Sequence, residues 1–254
     1  MTRTRSRLAE HGTGHLGGVH FTPVRPDRFV VVVPAHNEVE LLHRCLVALR
    51  NARAASPIPV RIVVVLDSCT DGTSDVVGTG VDVVVTDARN VGSARKIGFR
   101  AAEVTSSAST WCVSTDADSV VDRDHFRTLA ECARDAHVVT GSVRVSEWAH
   151  RSTALARRYE RDYAAEHSRG LRHVHGANLA VRADAYRSVG GFRPLGEHED
   201  VDLVDRLERR GFRVRSEGAP SVITSARSSR RTAGGFASFL DTLAEETDPP
   251  AITA

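Results

Sequence analysis

Lysine is almost missing from this chain. Lys96 stands alone among 34 basic residues; the other 33 are arginines, whose charge is permanent and whose fork grips carboxylate or phosphate bidentately. A genome rich in G and C produces the same excess without any function. Net charge is scarce too: 34 Lys+Arg against 32 Asp+Glu leave +2, which excludes a general polyanion binder whose affinity rests on neutralising many phosphates. No nucleic-acid partner is expected. The four cysteines, Cys45, Cys69, Cys112 and Cys132, are widely spaced and form no C-x-x-C pair, so neither a disulfide framework nor a zinc signature is present and a reducing compartment fits best. Long apolar runs are also absent: none approaches the ~20 residues that cross a bilayer. The Arg-rich opening lacks the apolar segment of a secretory leader. The expectation is a cytoplasmic protein with no membrane span.

What remains is an ordinary globular composition: 254 residues, 41% hydrophobic and 26% charged, enough for one large domain or two small ones. Residues 1–27 are polar, end in Pro23 and Pro26, and read as a flexible N-terminal arm. From Phe29 short β-branched runs alternate with longer helical stretches. FVVVV (29–33), VRIVVVL (60–66), VDVVV (81–85) and WCVST (111–115) predict strands; 38–54, 73–79 and 92–104 predict helices between them. This is the βαβα rhythm of a parallel sheet covered by helices, with strands apolar on both faces buried on both faces. Further on, Asp122 can cap a helix over about 123–135, 136–145 and 177–182 read as strands, and 151–168 and 201–211 as helices. Residues 28–248 are expected to form one mostly parallel α/β domain and 249–254 a frayed tail.

In open α/β sheets ligands bind beyond the carboxyl ends of the strands. Four such ends are polar here: Pro34-Ala35-His36-Asn37-Glu38, Asp67 to Thr73, Asp87-Ala88-Arg89-Asn90, and Asp116-Ala117-Asp118. Each has a purely structural alternative, with Asn37, Thr70 or Asp71 as helix caps and Gly72 as a turn residue. Two carboxylates one residue apart at a strand end, as in Asp116 and Asp118, can share a hard divalent cation bridging phosphate oxygens. Asp122 and Asp124 repeat the spacing at a helix start, where the helix dipole favours acids anyway. Near the end, Gly190-Gly191-Phe192 precedes the acidic cluster Glu197-His198-Glu199-Asp200, whose carboxylates could cap a helix or serve as a general base.

Taken together, in this order and at successive strand ends, these segments resemble the family-2 glycosyltransferases of the GT-A fold over about residues 29–215. The matching residues are Pro34, Asn37 and Glu38; Asp67, Asp71 and Thr73; Asn90, Gly92, Ala94, Arg95 and Gly98; Asp116 and Asp118; and Gly190, Gly191, Phe192, Glu199 and Asp200. The resemblance implies a GT-A-type fold whose residues 28–120 form a nucleotide-binding half and 121–248 an acceptor-binding half. It implies a nucleotide-diphospho-sugar donor, UDP-sugar by default and GDP-sugar next, lying against Pro34, His36, Asn37, Glu38 and Asp67. His36 would stack on the base, and Arg95 would help hold the nucleotide. Asp116, Ala117 and Asp118 would organise ribose and a Mg²⁺ or Mn²⁺ ion, with Arg227 adding phosphate charge from an Arg-rich 227–231 segment. Asp200, with Glu199 beside it, would take the proton of a hydroxyl acceptor, giving inversion. The acceptor, small or lipid-linked, is not legible; a lipid-linked one would require peripheral attachment. Leu66 and Cys69 depart from the family pattern, where an acid and a serine are usual.

Other readings compete. Gly12, Gly14 and Gly17 spell G-x-G-x-x-G, but no strand precedes them, so the dinucleotide-binding context fails. His173 and His175 have no H-E-x-x-H or cysteine partner to make a metal site. A haloacid-dehalogenase-like phosphatase would use Asp116 as nucleophile, with Asp118, and needs a later lysine or arginine; arginines follow but no lysine does after Lys96, the motif usually stands near the chain start, and the three earlier strand-end loops would go unexplained. An inactive nucleotide-sugar binding module would keep the fold and lose the acids, whereas Asp116, Asp118 and Asp200 remain.

Overall fold

The computed structural model describes residues 21–146, 148, 151–168, 174–216, 218–226 and 236–247. Most of the expected arm, His173, Arg227 and the segment around it, and the tail lie outside the described residues. By its internal contacts the chain divides into two compact units, one built from residues 16–144 and 174–223, the other from 1–15, 145–173 and 224–254.

The larger unit is organised by valine-rich strands. Arg28–Ala35 (β1) and Val60–Asp67 (β2) pair in parallel from Phe29↔Val60 to Ala35↔Leu66. Asp82–Thr86 (β3) adds beside β2 and Thr110–Ser114 (β4) beside β1, both parallel. Beyond β4 the sheet continues through Leu179–Arg182 (β8), Val138–Thr140 (β6) and Val214–Arg215 (β9), with β8 antiparallel to both its neighbours. The order is β3-β2-β1-β4-β8-β6-β9, a mixed sheet that is mostly parallel. β-branched side chains suit a pleated surface covered on both faces. Phe29, Val31, Val33, Ile62 and Val64 pack on one face with Leu42–Ala55 (α1) and His125–Cys132 (α3). Val30, Val32, Val63 and Val65 pack on the other with Val91–Ala101 (α2), Ala183–Ser188 (α5) and Glu199–Arg209 (α6). Burying each such valine is worth about 1.5–3 kcal/mol. Helix α2 presses hard on the sheet at Gly98, where an added Cβ would stand 2.6 Å from Val32 Cγ1 and 2.8 Å from Val65 Cγ2.

Several expectations need correction. β3 is apolar on both faces in sequence yet lies at the sheet edge, leaving Val83 and Val85 exposed. The stretch 136–145 is two strands rather than one, β6 and Val143–Ser146 (β7), broken at Gly141 and Ser142. A side chain at Gly141 would run into Asn178 and the Pro220 carbonyl. β7 joins Ser119–Val121 (β5) and Val222–Ser225 (β10) in a second sheet of order β5-β10-β7. Asp122 does not cap α3 with its side chain; its carbonyl accepts the His125 N–H at 3.1 Å and the helix starts after Asp124. The segment expected as a helix over 73–79 is a 3₁₀ turn, Gly72–Val76.

The smaller unit, among its described residues, holds the ends of β7 and β10 and two helices. Thr153–Ser168 (α4) and Phe236–Thr247 (α7) enclose Leu155, Tyr159, Ala226, Leu240 and Leu243. Arg151 donates from Nε to the Ala226 carbonyl at 2.6 Å and pairs with Asp241 at 2.8 Å. No helix of the described residues is long and apolar enough to cross a membrane.

Candidate active site

The first two strand-end loops are sewn together by the residues that had looked like caps or ligands. Asn37 sits at φ 54°, and its Oδ1 accepts the Thr70 N–H at 2.8 Å. Thr73 Oγ1 accepts the Glu38 N–H at 2.7 Å and itself donates to Asp71, which also caps the 3₁₀ turn through the Thr73 N–H. Asn37, Asp71 and Thr73 thus hold backbone in place. Glu38 is buried beside them, while His36 remains exposed at the loop tip, its Nδ1–H donating to the Asp67 carbonyl at 2.7 Å. Pro34 is half-buried at the end of β1.

The strand period decides what β2 presents. Leu66 enters the core on the α1 face and so replaces an acid without exposing itself. Asp67, 5% exposed, points the other way and fastens the third loop: the Arg89 and Asn90 N–H groups donate to its Oδ1 and Oδ2 at 2.9 and 3.1 Å. Cys69 turns its thiol to the Ala35 carbonyl at 3.3 Å. Asn90 works in two directions: Oδ1 caps α2 at the Ser93 N–H, and Nδ2 donates to the Leu195 carbonyl at 2.6 Å. The third loop thereby grips the segment leading into α6.

After β4 the chain turns through Asp116, Ala117 and Asp118. Ala117 is buried in the core, so its side chain cannot face a ligand. Asp116 and Asp118 are half-exposed on either side of it. Beneath the turn lies Cys45 of α1, donating to the Asp116 carbonyl at 3.4 Å; burial, reinforced by Asp118 and Asp116, pushes its thiol far up and keeps it neutral. Arg95 of α2 reaches the same turn. Its guanidinium is 3% exposed, donates from Nη2 to Asp116 Oδ1 at 2.7 Å, and donates from Nη1 to Glu199 Oε1. Burial alone would weaken its charge, but Asp116, Glu199 and Asp200 hold its pKa above the usual value. Burial lifts the Glu199 carboxyl above the ordinary range, with Arg95 pulling it back.

Asp200, the next residue, is half-buried; its Oδ2 accepts the Gly176 N–H at 2.6 Å and its Oδ1 the Val201 N–H at 2.8 Å. The helix carrying it is entered through His198 at φ 60°, and of the five non-glycine residues at positive φ among the described residues, four, Asn37, Ser68, Arg89 and His198, lie on these loops. Such backbone costs about 1–3 kcal/mol apiece and persists where its surroundings enforce it. The Gly-Gly-Phe segment explains itself locally. Gly190 and Gly191 take φ of 78° and 70°, a Cβ on Gly191 would strike the Tyr186 ring, and Arg206 of α6 donates to the Val189 and Gly191 carbonyls at 2.7 and 2.8 Å.

Asp116, Asp118, Arg95, Glu199 and Asp200 therefore gather at one end of the sheet, while Asp67 and His36 form a neighbouring group on the first loops. Sequence reasoning missed Gly176, Asn178 and Arg206; the only local signal was the small Gly-Ala-Asn turn before β8. Asp116 and Asp118 are hard oxygen donors of the kind a divalent cation takes, and among the described residues no group of three His, Cys, Asp or Glu forms a metal cage. An ion held there would complete its shell with ligand and water oxygens.

None of the curated proteins matches the chain by sequence. Among solved structures, the chain is similar to the 1–349 segment of S. aureus TarS in complex with UDP-GlcNAc, at 14% identity and TM-score 0.58, covering 80% of this chain and 60% of that one. It is similar to the mannosyltransferase PcManGT from Pyrobaculum calidifontis in complex with GDP-Man and Mn²⁺, at 21% identity and TM-score 0.58, covering 83% and 60%. The likeness is one of fold, the GT-A arrangement, and the chain spans 60% of the length of each. Residues 26–235 match the profile of glycosyltransferase-like family 2. That stretch takes in every loop described above, and on this ground the chain belongs to glycosyltransferase-like family 2.

Proposed function

We propose that the chain transfers a sugar from a nucleotide-diphospho-sugar to a hydroxyl acceptor with inversion at the anomeric carbon. One observation carries this reading: Arg95 ties Asp116, at the end of β4, to Glu199, at the start of α6, so that donor-side and acceptor-side carboxylates meet although 84 residues separate Asp116 from Asp200 in the sequence. On the donor side, Pro34, Asn37, Glu38 and Asp67 shape the nucleotide site and His36 offers an exposed ring for the base. UDP is the first candidate and GDP the second, the nucleotides of the sugars in the two solved structures above. Arg95 acts here by holding Asp116, because its buried guanidinium is already taken by carboxylates. A divalent cation, Mn²⁺ or Mg²⁺, held by Asp118 and Asp116 would neutralise charge developing on the leaving diphosphate.

On the acceptor side, Asp200 is the general base. Each of its oxygens accepts one backbone N–H, leaving lone pairs for an incoming hydroxyl. As the acceptor oxygen bonds to the anomeric carbon, its proton passes to Asp200 and the carbon–oxygen bond to the diphosphate breaks on the opposite face. Glu199 stays buried against Arg95 and positions the helix. Residues 28–120 serve the nucleotide and 121–248 the acceptor, which is a small hydroxyl compound or a lipid-linked one met by peripheral attachment. The four free cysteines fit a cytoplasmic location. Family membership argues against the phosphatase alternative, and retention of Asp116, Asp118 and Asp200 argues against an inactive module.

The test is a thermal-shift panel of UDP, GDP, CDP, dTDP and ADP, each with Mn²⁺, Mg²⁺ or EDTA, since a ligand that binds the folded state raises its apparent stability. The expected result is a metal-dependent shift with one nucleoside diphosphate. No shift with any of them would overturn the donor assignment.

A further inference from the structure

The turn Gly176–Asn178 belongs to no motif singled out in the sequence, yet it touches the proposed base. Gly176 donates its N–H to Asp200 Oδ2 at 2.6 Å. The same residue lies against Arg95: an added Cβ would stand 2.6 Å from Arg95 Cζ and 2.8 Å from Nη1, closer than real Cβ atoms approach. Arg95 cannot give way, because Asp116 and Glu199 hold both of its terminal nitrogens and it is enclosed. The turn is equally fixed from its other end. Asn178 donates from Nδ2 to the Ser142 and Pro220 carbonyls at 2.9 and 2.8 Å, and its carbonyl accepts the Gly141 N–H at 2.9 Å. All three residues of the turn are buried.

From this juxtaposition we infer that Gly176 is a positioning residue for Asp200. Only a residue without a side chain can lie on the Arg95 guanidinium, and lying there it aims its amide at one oxygen of the carboxylate that takes the acceptor proton. One buried arginine then sets both halves of the reaction, Asp116 by charge and Asp200 through a glycine. The inference rests on the reading of Asp200 as general base.

A double-mutant cycle separates the two. Turnover of UDP-GlcNAc and of GDP-Man is followed as release of nucleoside diphosphate with water as acceptor, for the full chain, Gly176→Ala, Asp200→Asn and the double variant. Affinity for UDP and GDP with Mn²⁺ is measured on the same four proteins by calorimetry. Gly176→Ala is expected to lower kcat by about 10- to 100-fold, the usual cost of misplacing a reacting group by an ångström or so, with nucleotide affinity unchanged. In the Asp200→Asn background it should cost nothing more, because residues acting through one group are not additive. If Gly176→Ala weakens nucleotide binding as much as it slows turnover, or multiplies with Asp200→Asn, the glycine is merely structural and the inference fails while the base assignment stands. If Asp200→Asn turns over at the wild-type rate, the base assignment itself fails and takes the inference with it. Should Gly176→Ala not fold, as judged by circular dichroism, Asn178→Ser loosens the same turn without adding bulk beside Arg95 and is expected to show the same pattern.

Discussion

Asp67 and Glu199 are both buried carboxylates at the edge of α2, and they are held in opposite ways. Asp67 accepts two backbone N–H groups from a loop 22 and 23 residues along the chain. Glu199 meets a guanidinium 104 residues away. A clasp of main-chain amides is indifferent to the side chains around it, whereas an ion pair exists only while both partners do. The clasp of Asp67 on the third loop therefore tolerates change in the side chains of residues 89 and 90, whereas the tie between the Asp116 turn and α6 through Arg95 is lost with that one side chain.

The contrast can be broken from its strongest point downward. Arg95→Ala removes the cation from between Asp116 and Glu199 and leaves a buried carboxylate uncompensated, which costs about 3–5 kcal/mol; urea denaturation should show it as a lower midpoint. Asp67→Ala leaves the Arg89 and Asn90 amides without their acceptor, and the same measurement should read about 2 kcal/mol, since each unsatisfied buried group costs about 1–3 kcal/mol and these two are only partly buried. Arg89→Ala sharpens the comparison. It deletes an exposed side chain paired with exposed Asp87 but keeps the amide that Asp67 grips, so the denaturation midpoint should hardly move.

A further effect belongs to α3, outside the comparison, and serves as its control. Burial lowers the His125 pKa from 6.5 to about 4, and its Nδ1 has no partner among the described residues. Between those values the unfolded chain binds a proton that the folded chain does not, so stability rises with pH across the window and is lost as pH falls through it. The slope from this one group is at most about 1.4 kcal/mol per pH unit. His125→Met should flatten that part of a denaturation-versus-pH curve while leaving the Arg95 and Asp67 effects unchanged.

Much of the larger unit was legible because its strands are short valine runs with polar ends, and period two assigns their faces. Leu66 and Asp67 show how far this goes: adjacent residues, opposite faces, one in the core and one on the loop. β3 shows where it stops, since VDVVV looks as deeply buried as FVVVV and only the strand order reveals an edge. The break at Gly141 was hidden because its cause, crowding by Asn178 and Pro220, is remote in sequence. The motif residues stood out as a set, but the contacts they make within the fold did not. Asn37, Asp71 and Thr73 stitch loops together, Ala117 fills the core, and Arg95 faces carboxylates. Each of those assignments depends on partners more than twenty residues away or on backbone geometry, except the Asp71–Thr73 contact. Helix α5 and strands β5 and β10 escaped notice because they are only six, three and four residues long; α7 was overlooked although Phe236, Phe239, Leu240, Leu243 and Ala244 recur at helical spacing.

The central claim is that donor binding and proton removal are divided between Asp118 and Asp200. Calorimetric titration of UDP and GDP into the wild type, Asp118→Asn and Asp200→Asn, with Mn²⁺ and then with EDTA, tests it most directly. The account predicts metal-dependent binding of one nucleotide to the wild type, the same binding to Asp200→Asn, and marked weakening in Asp118→Asn. Equal loss in both variants would contradict it.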